Sequence, residues 1–135
     1  MICPTDATRR PTITIVDDDG AVRNSLAFAL RSEGFSVRDY ARAEDALSDA
    51  LVVRSNCFIV DYNLPKMNGL ELISELRRRD IRTPAILITT GPNALVRRGA
   101  AAAQMTIIEK PLLGDTLFNE VRAALARRGP ACGNA

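Results

Sequence analysis

Three consecutive aspartates, Asp17-Asp18-Asp19, a further one at Asp61, the hydroxyls of Thr89 and Thr90, and Lys110 are the residues of this 135-residue chain whose types and spacing could do chemistry. Histidine is absent from the sequence. Imidazole acid–base catalysis, imidazole metal ligation and Ser-His triads are therefore excluded, and any chemistry runs on carboxylates, hydroxyls and lysine. The three cysteines, Cys3, Cys57 and Cys132, lack metal-ligand spacing. Cys57 opens an apolar run and reads as a small buried hydrophobe. Taken singly, the remaining candidates have ordinary explanations: an aspartate run caps a helix or makes a turn, Lys-Pro is a common loop dipeptide, and threonine often ends a strand. Their joint occurrence is more specific than any member. Clustered carboxylates repel unless a cation sits among them. With only hard oxygen ligands on offer, that cation is Mg²⁺, or Mn²⁺ in its place, rather than zinc. Magnesium keeps waters and takes substrate phosphate oxygens, which points to phosphoryl chemistry. Lys110 supplies a point charge for one phosphate oxygen, the Thr89 hydroxyl donates to another, and Asp61 is suited to be a nucleophile that forms an aspartyl phosphate.

These residues converge only if the chain folds to bring them to one edge. Thr12–Val16 is a β-branched run and reads as a strand that delivers Asp17 and Asp18. A helix follows, with Val22, Leu26, Phe28, Ala29 and Leu30 at helical spacing, Asp18 or Asp19 as its cap and Gly34 as its stop. Phe35–Tyr40 alternates as a second strand, and Ala43 to about Val53 reads as one helix. The apolar run from Cys57 to Val60 is a third strand that delivers Asp61, and Pro65 and Gly69 then turn the chain into a helix marked by Leu70, Leu72, Ile73 and Leu76. The arginines that end it, Arg77-Arg78-Arg79, complement the helix dipole and are expected in solvent. Pro84–Thr89 is a fourth strand. Ala94 to about Ala103 is a helix that Gly99 weakens by about 1 kcal/mol relative to alanine. Thr106–Ile108 is a short fifth strand leading to Lys110, and Asp115 to Ala126 is the last helix. Strands alternating with helices predict a parallel sheet covered on both faces. The fold class expected is α/β, a flavodoxin-like (βα)5 doubly wound sandwich with strand order 2-1-3-4-5. That order makes the first and third strands neighbours, so Asp17, Asp18 and Asp61 meet at the switch point.

With these motifs in place, the chain resembles the receiver domain of two-component response regulators over about Pro11 to Arg127. The resemblance rests on Ile15-Val16-Asp17-Asp18-Asp19, on the run from Asp61 through Leu64-Pro65-Lys66-Met67-Asn68-Gly69, on Ile88-Thr89-Thr90 and on Glu109-Lys110-Pro111. It implies that Asp61 accepts a phosphoryl group from a phosphohistidine on a sensor histidine kinase or histidine phosphotransfer protein. It implies Mg²⁺ ligation by Asp18, Asp61 and the backbone carbonyl of Asn63, with Asp17 acting through water. It implies contact of Lys110 with the phosphoryl group, an inward movement of Thr89, and a cis peptide bond before Pro111. Output would pass to a protein partner or a homodimer through the surface of the fourth helix, fifth strand and fifth helix. Three departures stand out. Ile107 occupies the place of the usual aromatic switch. The stretch Gly91-Pro92, Gly99 and Ala100 to Ala103 suggests a short or mobile fourth helix. Thr90 fills a position that is usually alanine or glycine.

The domain organisation expected is a receiver over 12–127, with a flexible leader at 1–11 and a flexible tail at 128–135. Neither a membrane-length apolar run nor a signal-peptide pattern occurs, and the net charge of +2 is too small to argue for nucleic acid. A cytoplasmic signalling module is expected, not a turnover enzyme and not itself a nucleic-acid binder. The alternatives are the front half of a regulator with a helix-turn-helix output domain, suggested by Val22-Arg23-Asn24-Ser25-Leu26-Ala27-Phe28, an aspartyl-nucleophile phosphohydrolase, and a pseudo-receiver. The hydrolase reading is weakened by Asn63, which stands where such enzymes carry a second acid. The pseudo-receiver reading is weakened by the full set of Asp17, Asp18, Asp61, Thr89 and Lys110.

Overall fold

The computed structural model describes residues 10–112 and 115–128. Most of the expected leader and tail, with Cys3 and Cys132, lies outside the described residues. Five strands form one sheet: β1 (Thr12–Val16), β2 (Ser36–Tyr40), β3 (Cys57–Asp61), β4 (Ala85–Thr89) and β5 (Met105–Glu109). All neighbours pair in parallel, in the order β2-β1-β3-β4-β5. The connecting helices are α1 (Gly20–Ser32), α2 (Ala43–Ser48), α3 (Gly69–Arg78), α4 (Ala94–Ala102) and α5 (Thr116–Arg128). Among the described residues, no helix is long and apolar enough to cross a membrane.

Strand periodicity divides the core into two layers. Ile13, Ile15, Cys57, Ile59, Ile86 and Ile88 pack with Ala27 and Leu30 of α1 and with Leu117, Val121 and Ala124 of α5. Val16, Phe58, Val60 and Leu87 face the other way, onto Ala43 and Ala46 of α2, Leu72, Ile73 and Leu76 of α3, and Val96 and Ala100 of α4. The central strands β3 and β4 are buried along their whole length, whereas β2 at the edge is not. Apolar runs without alternation are what two-sided burial requires.

The structure departs from the expected elements at two places. The single helix expected over Ala43 to Val53 is broken. α2 stops at Ser48, Asp49 is extended (φ −89°, ψ 115°), and a 3₁₀ turn follows over Ala50–Arg54. The Asp49 carboxylate accepts from the Leu51 N–H at 2.9 Å and from the Tyr40 hydroxyl at 2.6 Å. An aspartate that bonds local backbone in this way competes with the helix, and Val52-Val53 adds little helical propensity to oppose it. The second departure is Arg77, which is not in solvent. Its guanidinium donates to the carbonyls of Ala103 (2.9 Å), Ile81 (2.9 Å) and Thr83 (2.7 Å), tying α3 to the approach to β4 and to the end of α4. Arg78 and Arg79 do behave as expected, pairing on the surface with Glu75.

Helix α4 is indeed short, with nine residues, and Asn93 caps it by accepting from the Val96 N–H at 2.9 Å. Gly99 has a packing reason that outweighs its low propensity. A Cβ there would lie 2.4 Å from Leu70 Cδ2, so the missing side chain lets α4 settle against α3.

Candidate functional site

The carboxyl ends of β1, β3, β4 and β5 deliver the site. Asp17 follows β1 directly and is buried, whereas Asp18 is exposed. Asp61 is the last residue of β3 and is only 4% exposed. Because β1 pairs with β3, with Val16 beside Val60, the three carboxylates meet. One oxygen from each of Asp17, Asp18 and Asp61 lies within 4.8 Å of the others. Thr89 ends β4 and is buried. Lys110 follows β5, with its N–H donating to the Thr89 carbonyl at 2.9 Å and its Nζ 3.2 Å from Asp61 Oδ1. The peptide bond between Lys110 and Pro111 is cis.

Local folding explains why Asp61 is followed by so particular a turn. The Tyr62 carbonyl accepts from the N–H groups of Leu64 and Gly69, both at 3.0 Å, while Met67 donates to the Pro65 carbonyl at 2.7 Å. Lys66 takes the left-handed conformation (φ +67°). Asn68 then starts α3 with a capping box: its side chain accepts from the Glu71 N–H at 2.8 Å, and the Glu71 carboxylate accepts from the Asn68 N–H at 2.9 Å. Gly69 passes so close to the end of β3 that a Cβ would lie 2.4 Å from the Asp61 carbonyl oxygen and 2.7 Å from Val60 Cγ1. Any other residue would push the aspartate away from its strand. Asn63 lies exposed in this loop, two residues beyond Asp61.

Asp19, one of the two cap candidates, is the N-cap of α1. Its side chain accepts from the N–H groups of Ala21 (3.0 Å) and Val22 (3.2 Å), and its own N–H donates to Asp17 Oδ1 at 2.9 Å. Arg23 was not among the sequence candidates. Its Nη1 donates to the Asp17 carbonyl at 2.7 Å. A helical arginine six residues beyond Asp17 carries no sequence mark of this contact.

Burial pushes the Asp17 carboxyl above the usual carboxylate range, the charges of Asp61 and Asp18 push it the same way, and the Asp19 N–H and Lys110 pull it down. Asp61 Oδ1 is buried and accepts no hydrogen bond, so the nearby ammonium is its ionic partner without being an aligned donor. An unsatisfied buried carboxylate oxygen beside two further carboxylates fits a hard divalent cation. Beside the cluster, Ala21, Val22, Leu26, Thr90, Lys110 and Leu112 line an open, mainly apolar groove of about 670 Å³.

A family model described as the response regulator receiver domain matches residues 13–122. This chain belongs to that family. The receiver is 35% identical over 114 residues to the transcriptional regulatory protein FixJ of Rhizobium meliloti, covering 84% of this chain and 56% of that protein. FixJ of Azorhizobium caulinodans is 34% identical over 119 residues, at 85% and 55% coverage. The receiver thus spans about half the length of these relatives. Among solved structures, the chemotaxis protein CheY4 of Vibrio cholerae superposes with a TM-score of 0.80 at 26% identity, covering 87% of this chain and 100% of that one. A CheY-like receiver from Methanospirillum hungatei gives a TM-score of 0.81 at 26% identity, with 89% and 97% covered. The flavodoxin-like α/β fold expected from the sequence is the fold these receivers share.

Proposed function

We propose that this receiver accepts a phosphoryl group on Asp61 from a phosphohistidine of a sensor histidine kinase or histidine phosphotransfer protein. The observation that carries this reading is the site itself: three carboxylates within 4.8 Å of one another, with Lys110 Nζ 3.2 Å from Asp61 Oδ1. Asp18, Asp61 and the Asn63 carbonyl would hold Mg²⁺ (or Mn²⁺), with Asp17 acting through water. The ion, when bound, neutralises charge on the phosphoryl oxygens during transfer. In the transfer, an Asp61 oxygen attacks phosphorus, the P–N bond to the donor imidazole breaks, and the imidazole leaves. Lys110 moves from its ionic contact with Asp61 to an equatorial phosphoryl oxygen, and the Thr89 hydroxyl donates to another.

Turnover of diverse phosphoesters is not expected, because Asn63 offers no second acid two residues after the nucleophile. The unit that acts is residues 12–127, in the cytoplasm. Output leaves through α4, β5 and α5 to a protein partner or a second copy, and not by direct nucleic-acid contact of this receiver. The relatives that are named transcriptional regulatory proteins favour transcription as the process controlled. Ile107 is half-buried and packs on the core layer beneath α2, α3 and α4. With no ring to rotate there, the relay from Thr89 runs through displacement of α4 against β5, which the Arg97–Glu109 pair (3.9 Å) spans.

The test is intact-mass measurement after incubation with Mg²⁺ and acetyl phosphate. One added phosphoryl group is expected on the wild type and none on Asp61→Asn. An unlabelled wild type, with acetyl phosphate and with a phosphohistidine donor alike, would sink the reading.

A further inference from the structure

Of the three aspartates after β1, two are held directly. Asp17 is fixed at its N–H, which donates to the Tyr40 carbonyl at 3.1 Å, and at its Oδ1, which accepts from the Asp19 N–H at 2.9 Å. Asp19 is fixed as the cap of α1. Asp18 lies between them, exposed, with no side-chain hydrogen bond or ion pair among the described residues. Its aim is therefore set by its backbone, and above all by the peptide that joins it to Asp17. The carbonyl of that peptide is the group that Arg23 grips.

Arg23 is built for the task. It stands on α1 and reaches back to the loop before the helix, with Nη1 2.7 Å from the Asp17 carbonyl oxygen. Its Nε lies 3.8 Å from Asp39 Oδ1 on β2, and its side chain is 20% exposed. A planar guanidinium can address both acceptors at once, whereas an ammonium offers a single point of charge. The Asp39 carboxylate keeps the cation turned along β2. The result is a clamp from α1, across the β1–α1 loop, to β2.

We propose that Arg23 is a positioning residue for the metal site: by holding the plane of the Asp17–Asp18 peptide, it points the Asp18 carboxylate at the oxygens of Asp17 and Asp61. This rests on the reading of those carboxylates as Mg²⁺ ligands. Arg23 touches neither the metal nor the phosphoryl group, so its loss weakens metal binding and leaves the transfer step intact once metal is supplied.

The experiment uses the whole chain as wild type, Arg23→Met and Arg23→Lys. Mg²⁺ affinity is measured by calorimetry, and labelling by acetyl phosphate is followed across a Mg²⁺ titration. Arg23→Met is expected to raise the Mg²⁺ Kd by about tenfold, in the range for partners that orient metal ligands. Its labelling rate at saturating Mg²⁺ should approach that of the wild type. Arg23→Lys, which retains a donor for the carbonyl, should recover part of the affinity. A purely structural role would lower the melting temperature without shifting the Mg²⁺ half-saturation. A folded Arg23→Met with a Kd within about twofold of wild type overturns the proposal, on the scale that such partners set. Should Arg23→Met not fold, Arg23→Ala, which likewise leaves the Asp17 carbonyl without its donor, decides by the same criterion. A wild type that binds no Mg²⁺ overturns the metal reading and Arg23's role with it. Normal wild-type binding with unchanged variant binding overturns the role of Arg23 alone.

Discussion

Asp17 carries an electrostatic cost in the fold. Burial, above all, pushes its carboxyl above the ordinary 3.8 of an aspartate. A carboxyl that holds its proton more tightly in the folded chain than in the unfolded one binds more protons when native, so stability falls as pH rises. In Mg²⁺-free buffer this contribution should decline from about the unfolded value of 3.8 up through the raised folded one, then level off. Asp17→Asn removes the charge and the slope. The variant should melt higher than wild type at neutral pH without Mg²⁺, and added Mg²⁺ should raise its melting temperature less. Thermal melts at several pH values, with and without Mg²⁺, check both. At this scale the sequence was informative about identity and silent about support. Aspartates, threonine and lysine announce themselves by type, at the ends of apolar runs. Arg23 and the Arg77 guanidinium do not, because their acceptors are backbone carbonyls, and a carbonyl leaves no trace in residue identity.

The turn between β3 and α3 shows how an element serves a single side chain. Gly69 is the point where the returning chain touches the strand it has just left. Gly69→Ala would place a methyl 2.4 Å from the Asp61 carbonyl oxygen, a backbone atom that cannot swing aside. The variant should lose about 3 kcal/mol of stability, as for other overpacked sites, and should label more slowly because Asp61 is displaced. Urea denaturation and the acetyl phosphate assay measure the two effects. Elements were legible where one force dominated, as in the β-branched runs of β1, β3 and β4. The break after α2 was not, because the local bond from Asp49 to the Leu51 N–H is reinforced by a tertiary one: the Tyr40 hydroxyl, from the edge strand, holds the Asp49 side chain. Burial, and after it the same bond, push the Tyr40 phenol up to about 12.

Over the whole molecule, the candidate site and the carbonyls gripped by Arg77 sit at opposite ends of the strands. The carboxylates and Lys110 lie at the carboxyl ends of the strands. Arg77 works at the other end, joining the carbonyls of Ile81, Thr83 and Ala103. Near it the hydroxyls of Thr14 and Ser55 share a hydrogen bond, and the Thr83 hydroxyl donates to the Ser55 carbonyl at 3.3 Å. Arg77→Met should cost about 3 kcal/mol, the order for losing charged hydrogen bonds to partners left short of donors. Labelling of Asp61 should continue at the wild-type rate while the protein remains folded. A matching loss of labelling in folded Arg77→Met would show that the two ends are coupled. Strand order was legible at this scale because alternation of strands and helices allows few topologies. The division of labour between ends was not, since it depends on which carbonyls the loops leave unpaired.

If Asp61 is the phosphoacceptor proposed above, its surroundings have a kinetic meaning. A nucleophile that accepts a hydrogen bond must shed it before its lone pair can reach phosphorus. Among the described residues no side chain or backbone N–H donates an aligned hydrogen bond to Oδ1, and its counter-charge, Lys110, is tethered by a flexible stem that can follow the incoming group. For the acceptor role proposed above, attack by an Asp61 oxygen would therefore need little rearrangement of the protein groups around it. On that reading the pace of transfer would fall to the encounter: how often, and in what orientation, a donor brings its phosphorus to Asp61.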